Sequence, residues 1–320
     1  MIKANATHGK IAAVTGGTGF LGRFIVAALT RSGWTVRMLV RSEPLHPLTP
    51  DLDAEIILGD LSDTAALERL CAGADAVIHA AGLIKAKNRD DFFKVNVNGS
   101  AKIATASAKI SPDARFIVVS SMAAREPMLS DYAASKRAGE DAVLENSAGP
   151  VTILRPSAIY GLWDRETFPL FQMAAKGVVF GPNADAARIC LVNAVDVSEA
   201  VVAFADNGGA QTIYEVTDDR VDGYSWTEIV KVAGKVLKTR PRLVKIPTSL
   251  LKSGAFFSQL VSHGTGRNPI LTQGKVREIL HGDWSSSPAM QPPKDVWSPR
   301  INLADGFSDT AEWYRKEKWL

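Results

Sequence analysis

The 320-residue sequence predicts an α/β protein: a doubly wound parallel sheet joined to a smaller C-terminal α+β domain. Three observations predict it. Throughout the first half, short apolar runs alternate with segments whose apolar residues recur three and four apart. A glycine-rich turn separates the first run from the first such segment. Past residue 156 or so this pattern breaks: Pro and Gly become frequent, apolar runs shorten, and five of the seven Trp lie beyond residue 225.

Each element follows from its residues. Ile11–Val14, Thr35–Val40, Glu55–Leu58, Ala76–His79, Phe116–Val119 and Val151–Leu154 are mostly continuous apolar runs, the pattern of strands buried on both faces. Phe20–Ser32, Asp63–Ala72, Phe92–Ala108 and Tyr132–Asn146 carry helical periodicity. Their alternation implies right-handed βαβ crossovers. Ile189–Asn193 and Thr212–Val216 read as late strands, and Val195–Ala205 as a helix returning to the first domain. The expected division is therefore 1–156 plus about 193–213 as a dinucleotide-binding Rossmann-type domain. About 157–192 and 214–320 form an interrupted substrate-binding domain.

Composition narrows the function classes. Hydrophobic residues at 46% and charged residues at 22% exclude disorder and fibrous repeats. A net charge of +3 without a long basic block predicts no nucleic-acid partner. Two cysteines form no disulfide framework, and the five histidines lack ligand spacing, so no metal site is expected. No apolar run approaches the roughly 18–20 residues that span a bilayer. The N-terminus shows no signal-peptide pattern, because Gly16 and Gly17 interrupt its first apolar stretch. A soluble cytoplasmic protein is expected.

Thr15-Gly16-Gly17-Thr18-Gly19-Phe20-Leu21-Gly22 joins the first strand to the first helix. Gly16, Gly19 and Gly22, three apart, allow a tight turn, close backbone approach to a pyrophosphate and close helix packing. The helix start offers N–H groups and a positive dipole end to the phosphates. Thr18, Phe20 and Leu21 belong to the same cofactor-binding turn. An acid at the end of strand two would accept from the adenosine ribose; this sequence has Arg41-Ser42 there instead. Arg41 suits a 2′-phosphate, with Ser42 adding a hydrogen bond, which favours NADP(H) while leaving NAD(H) open. Asp60 and Leu61, after strand three, either read the adenine edge or start the next helix, for which Asp63 is the better-placed cap. Ala80-Ala81-Gly82, after strand four, leaves room for the cofactor.

Tyr132 and Lys136 stand four apart on one helical face. A neighbouring ammonium is expected to lower the phenol pKa and to suit it to proton transfer at a carbinol oxygen. Ser121, ending strand five, is placed to hydrogen-bond the same oxygen.

In this order the motifs resemble an extended short-chain dehydrogenase/reductase, the group that includes sugar-nucleotide epimerases, dihydroflavonol reductases and 3β-hydroxysteroid dehydrogenases. The resemblance covers the whole chain. It rests on Thr15–Gly22, Asp60, His79–Gly82, Asn96–Gly99, Ser120-Ser121, Tyr132–Lys136 and Arg155–Gly161. It implies Tyr132 as acid/base, Lys136 as its partner and a nicotinamide-ribose ligand, and Ser121 as substrate positioner. It also implies Asn96 at a relay water, and Pro156 and Ile159 in the segment lining the nicotinamide. Where epimerases usually continue from the serine into a Tyr-Gly pair, this sequence has Met122-Ala123-Ala124-Arg125-Glu126-Pro127. That departure weakens a nucleotide-sugar substrate.

The second domain speaks to the substrate. Pro247–Ser262 has Lys252 as its only charge. Leu250, Gly254, Phe257 and Val261 form one stripe, widened by Leu251, Ala255, Phe256 and Leu260. Three readings stand: a core helix, an apolar wall of the substrate pocket, or a surface touching membrane lipid. The expected function is reduction of a ketone on a bulky hydrophobic, lipid-like molecule, specifically a 3-keto sphingoid or oxidised ceramide. The alternatives are a nucleotide-sugar epimerase or dehydratase with tightly held NAD, and a non-catalytic dinucleotide-binding subunit resembling the complex I relative. The resemblance also allows a homodimer through Phe92–Ala108 and Tyr132–Asn146.

Overall fold

The computed structural model describes residues 9–42, 54–184, 186–265 and 271–320, with side chains throughout except at 257 and 259–265. In chain order the first elements are β1 (Ile11–Thr15), α1 (Phe20–Arg31), β2 (Thr35–Val40), β3 (Ala54–Leu58), α2 (Thr64–Cys71) and β4 (Ala76–His79). There follow α3 (Arg89–Phe93), a π-helical turn Lys94–Asn98, α4 (Gly99–Ile110), β5 (Arg115–Val119), a 3₁₀ turn Met122–Arg125, α5 (Asp131–Asn146) and β6 (Val151–Pro156). Next are β7 (Ala158–Tyr160), α6 (Phe168–Ala175), β8 (Val178–Pro182), β9 (Arg188–Ile189), β10 (Leu191–Asn193), α7 (Ala194–Asn207) and β11 (Ile213–Val216). The last are α8 (Trp226–Leu237), β12 (Arg242–Ile246), α9 (Thr248–Thr265), α10 (Gln273–Leu280), β13 (Asp283–Trp284) and α11 (Leu303–Lys316).

Seven strands form one sheet in the order β3-β2-β1-β4-β5-β6-β11. Every pairing in it is parallel. Fully buried runs such as Ala12–Val14 and Ala76–Ile78 sit at its centre, as strands covered on both faces must. Helices α1 and α7 pack one face around Ile25, Leu29, Val197 and Val201, while α2, α4 and α5 pack the other around Leu67, Leu70, Ile103 and Val143. A third core joins α6, α8 and α11 through Phe171, Ile229, Phe307 and Tyr314. Its rings meet edge-on, with Tyr160 and Phe307 centroids 5.0 Å apart. Three short parallel pairs, β7–β10, β8–β12 and β9–β13, complete this part. Among the described residues no helix is long and apolar enough to cross a membrane.

Two elements differ from the sequence reading. The expected single strand Ile189–Asn193 is two, β9 and β10, because the chain changes partner at Cys190. The Cys190 N–H donates to the Trp284 carbonyl (3.1 Å) while its own carbonyl accepts from Ala158 N (3.3 Å). The expected helix Phe92–Ala108 begins at Arg89, capped by Asn88, and loosens into the π turn before α4. That turn shifts the helical register just where Asn96 leaves it, a common device at functional sites.

Candidate active site

The strand order reverses between β1 and β4, so a crevice opens beyond their carboxyl ends. The glycine turn lies there. Gly16 has φ 76°, and a Cβ at this position would run into the Ala80–Ala81 backbone. A Cβ at Gly22 would strike the Gly16 carbonyl. These two positions hold α1 tightly against the turn. Gly19 caps α1 without a side-chain hydrogen bond, and no acid occupies the first turn. The first-turn N–H groups, those of Phe20 and Leu21 among them, therefore retain the capacity and dipole to bind an anion.

Arg23 strengthens that character and was not singled out by the sequence reading. Its Nε donates to the Thr18 carbonyl (3.3 Å), and its guanidinium lies over the Trp163 ring, 5.8 Å from the centroid. Burial, and then the like charge of Arg165, hold its pKa below the usual arginine value. The Arg23 guanidinium at the glycine turn fits a diphosphate. The available signal was a cation in the first turns of a helix, where the macrodipole disfavours one.

Arg41 stands exposed at the carboxyl end of β2. Asp60 follows β3 but does not cap α2; Asp63 does, accepting from Ala66 N (3.0 Å). The Asp60 carboxylate instead accepts from the Ser62 hydroxyl (2.6 Å) and N–H (2.7 Å), which hold it below the usual carboxylate range. The Leu61 side chain packs against Gly99 of α4. Ala80 and Ala81 abut the glycine turn, and Gly82 lies where a Cβ would sit 3.2 Å from Asn96 Oδ1 and 3.8 Å from Lys136 Nζ. Pro156 ends β6 and is buried; Ile159 is half-buried on β7. Gly16–Gly22, Ala80–Gly82, Asn96, Ser121, Tyr132 and Lys136 thus converge on one edge of the sheet, and Arg41 and Asp60 stand further along it.

A buried relay fixes this edge. The Ser100 hydroxyl donates to the Asn96 carbonyl (2.7 Å), so His79 Nε2 must donate to Ser100 Oγ (2.9 Å). The neutral ring then accepts at Nδ1 from the Thr15 hydroxyl (2.7 Å). Burial, aided by the Lys136 charge, pushes His79 down to about 3 and keeps it neutral. Asn96 is held in the same network. Its amide donates to the Leu83 carbonyl (3.0 Å) and Ser135 Oγ (2.9 Å), and its oxygen accepts from Leu83 N (2.7 Å). Only one lone pair of that oxygen remains.

Ser130 caps α5, accepting from Ala133 N (2.9 Å), and so sets the start of the helix that carries Tyr132 and Lys136. The phenol faces Ser121, whose Oγ also accepts from Ala123 N (3.1 Å). The expected lowering of the Tyr132 pKa by Lys136 is overturned. Burial pushes the phenol up to about 12, the Glu278 charge adds to the rise, and the Ser121 hydrogen bond offsets only part of it. The reason is geometric: Lys136 Nζ donates to the Val119 carbonyl (2.9 Å). Burial brings the ammonium itself down to about 8, with Glu140 opposing. A phenol in this state is a proton donor at neutral pH, the form that reduction of a carbonyl requires.

Glu278 is a second residue the sequence did not single out. It is buried on α10 and accepts from Ser130 Oγ and from Lys275 Nζ (3.0 Å), so α10 grips the cap of the Tyr132 helix. Its only sequence signal was an acid three residues after Lys275.

Of the Leu250 stripe of α9, the described members face outward. Leu250 is exposed and Gly254 has open space beside it; Ala255 is buried and Leu251 and Ser258 half-buried. With apolar residues on most sides, the helix rotation is set by contacts, here the Ser258 hydroxyl accepting from Leu271 N (3.1 Å). The side chains of Phe257, Leu260 and Val261 lie outside the described residues.

The profile of the NAD dependent epimerase/dehydratase family matches residues 12–217, and the chain belongs to that family. A ceramide reductase of Caulobacter vibrioides is 45% identical over 312 residues, 97% of this chain and 96% of the relative. A 4-hydroxy-2-methyl-3-oxo-4-farnesyl-3,4-dihydroquinoline-1-oxide ketoreductase of Stigmatella aurantiaca is 32% identical over 226 residues, 64% of this chain and 67% of that protein. Among solved structures, UDP-glucose 4-epimerase of Thermotoga maritima superposes with a TM-score of 0.72 at 19% identity, over 97% of this chain and 99% of that one, a likeness of fold. The protein is a NAD(P)-dependent oxidoreductase that interconverts ketone and alcohol.

Proposed function

We propose that the protein reduces the keto group of a ceramide-like or 3-keto sphingoid lipid to a secondary alcohol, with NADPH as the preferred donor. The observation that carries the chemistry is the buried Tyr132 phenol facing Ser121 at the carboxyl edge of the sheet, where burial raises its pKa and favours the protonated form. A dinucleotide bound along Gly16–Gly22 and Ala80–Gly82 would supply hydride from its nicotinamide to the carbonyl carbon. Ser121 orients the carbonyl oxygen, Tyr132 delivers its proton there, and Lys136 holds positive charge near the phenol and the ribose. The similarity to the Caulobacter ceramide reductase supports the lipid class. Segments 157–192 and 214–320 are the proposed substrate domain. Homodimerisation through α4 and α5, and a cytoplasmic enzyme meeting its lipid at a membrane surface, belong to the same reading.

An assay of 3-keto lipids, steroid ketones and UDP-sugars on one preparation tests it. NADPH oxidation is expected with the keto lipids, with kcat/KM rising with chain length to a limit, since each buried CH₂ contributes about 0.8 kcal/mol. Turnover of a UDP-sugar without added cofactor, and none of the lipids, would replace this reading with the epimerase.

The cofactor preference is tested separately. Arg41→Ala is expected to weaken NADPH relative to NADH by about 1.5–3 kcal/mol, the worth of a charge-assisted hydrogen bond. Arg23→Ala should weaken both cofactors alike, because its proposed partner is the diphosphate they share. Titration of each reduced cofactor reads both. Tighter wild-type binding of NADH than of NADPH would leave Arg41 a surface residue.

A further inference from the structure

The modest total charge hides a segregation. Between Ile229 and Arg277 lie ten Lys and Arg and not one Asp or Glu, in a chain of net +3, so the remainder is seven charges negative. Solvated surfaces ordinarily intersperse both signs. This acid-free segment builds most of α8, then β12, α9 and the start of α10.

The same segment displays apolar side chains outward. β12 pairs with β8 so that Val244 stands beside Phe180. Strand alternation places Arg242 and Ile246 on the Val244 face and turns Leu243 toward the third core. Phe180 is 54% and Val244 42% exposed; past Pro247, Leu250 is 62% and Phe256 60% exposed. Four of the nine large hydrophobic residues exposed among the described residues therefore fall on β8, β12 and α9. Lys238, Arg240 and Arg242, just before and on β12, and Lys252 on α9 are all exposed.

We infer that the face made by β8, β12 and the outer side of α9 docks on an anionic lipid bilayer. Phe180, Val244, Leu250 and Phe256 enter the headgroup region, and the surrounding cations meet lipid phosphates. Basic residues flanking an exposed apolar strip are the pattern of interfacial binding. A nucleic acid would match the charge but not the aliphatic Val244 and Leu250 on either side of Pro247. The inference draws its purpose from the lipid-reductase reading, since the substrate would lie in the same bilayer, but it is tested without turnover.

Flotation of the full chain with vesicles reads the docking directly. Binding is expected to vesicles of equal phosphatidylglycerol and phosphatidylcholine, not to phosphatidylcholine alone, and should weaken as salt is raised. The double variant Arg240→Glu, Arg242→Glu should bind about tenfold or more weakly, from the loss and reversal of two surface cations. Its turnover of a short, water-soluble ketone should stay at the wild-type level, which also shows that it is folded. Leu250→Glu should weaken binding through the apolar contact. Equal binding to neutral and anionic vesicles, no binding to either, wild-type binding by the double variant, or equally tight binding to RNA would overturn the inference. Vesicle binding without turnover of any keto lipid would refute the substrate reading alone; turnover without vesicle binding would refute the docking surface alone.

Discussion

Tyr132→Phe is expected to lower kcat by about 10²–10⁴, the usual worth of a positioned general acid. The variant keeps the ring, its packing beside Phe92 and the capped start of α5. It removes only the hydroxyl proton proposed to reach the carbonyl oxygen, so cofactor affinity should hardly change. The pH dependence separates the two charged partners. The phenol, pushed up to about 12, stays protonated across the working range. Lys136 is charged below its value of about 8 and neutral above it. The rate of reduction should therefore hold from neutral pH to near that point and decline on the alkaline side. A pH profile of kcat/KM measures this. Near-normal turnover of Tyr132→Phe on a verified substrate would remove the phenol from proton transfer, and a profile flat well past the Lys136 value would remove the ammonium.

Legibility in the sequence followed how local each interaction is. Ala12–Val14 and Ala76–Ile78 are fully buried because unbroken apolar runs have nowhere else to go, so the central strands could be read directly. Gly16 and Gly22 were readable because the need for a missing Cβ is written into the turn itself. Asp63 was readable as a cap from its place before a helical pattern. The Tyr132 pKa was not, because its sign depends on burial, on a Lys136 ammonium bonded to Val119, and on Glu278 contributed from far along the chain. The break at Cys190 was hidden because a change of strand partner leaves no trace in apolar periodicity. The rotation of α9 was hidden because apolar residues occupy too much of its circumference to define one inward stripe.

Glu140→Ala is expected to destabilise the fold by about 3–5 kcal/mol, the cost of leaving a buried charge without its partner. Glu140 and Arg155 are 2% and 5% exposed. Arg155 Nε and Nη2 donate to the two carboxylate oxygens at 2.9 and 2.6 Å, a forked pair that joins α5 to β6. Ser120 donates to the same carboxylate, so the end of β5 beside Ser121 is tied in as well. Alanine would strand the guanidinium. Replacing both partners, Glu140→Leu with Arg155→Met, should recover most of the loss, since apolar packing can substitute for a buried pair. Denaturant midpoints of the three variants measure the effect. The single variant carries a functional signature too. Glu140 opposes the depression of the Lys136 pKa, so its removal should move the alkaline decline in rate to lower pH. A loss below about 1 kcal/mol, the range of solvated pairs, together with an unmoved pH profile, would show that this carboxylate neither anchors α5 nor holds the charge on Lys136.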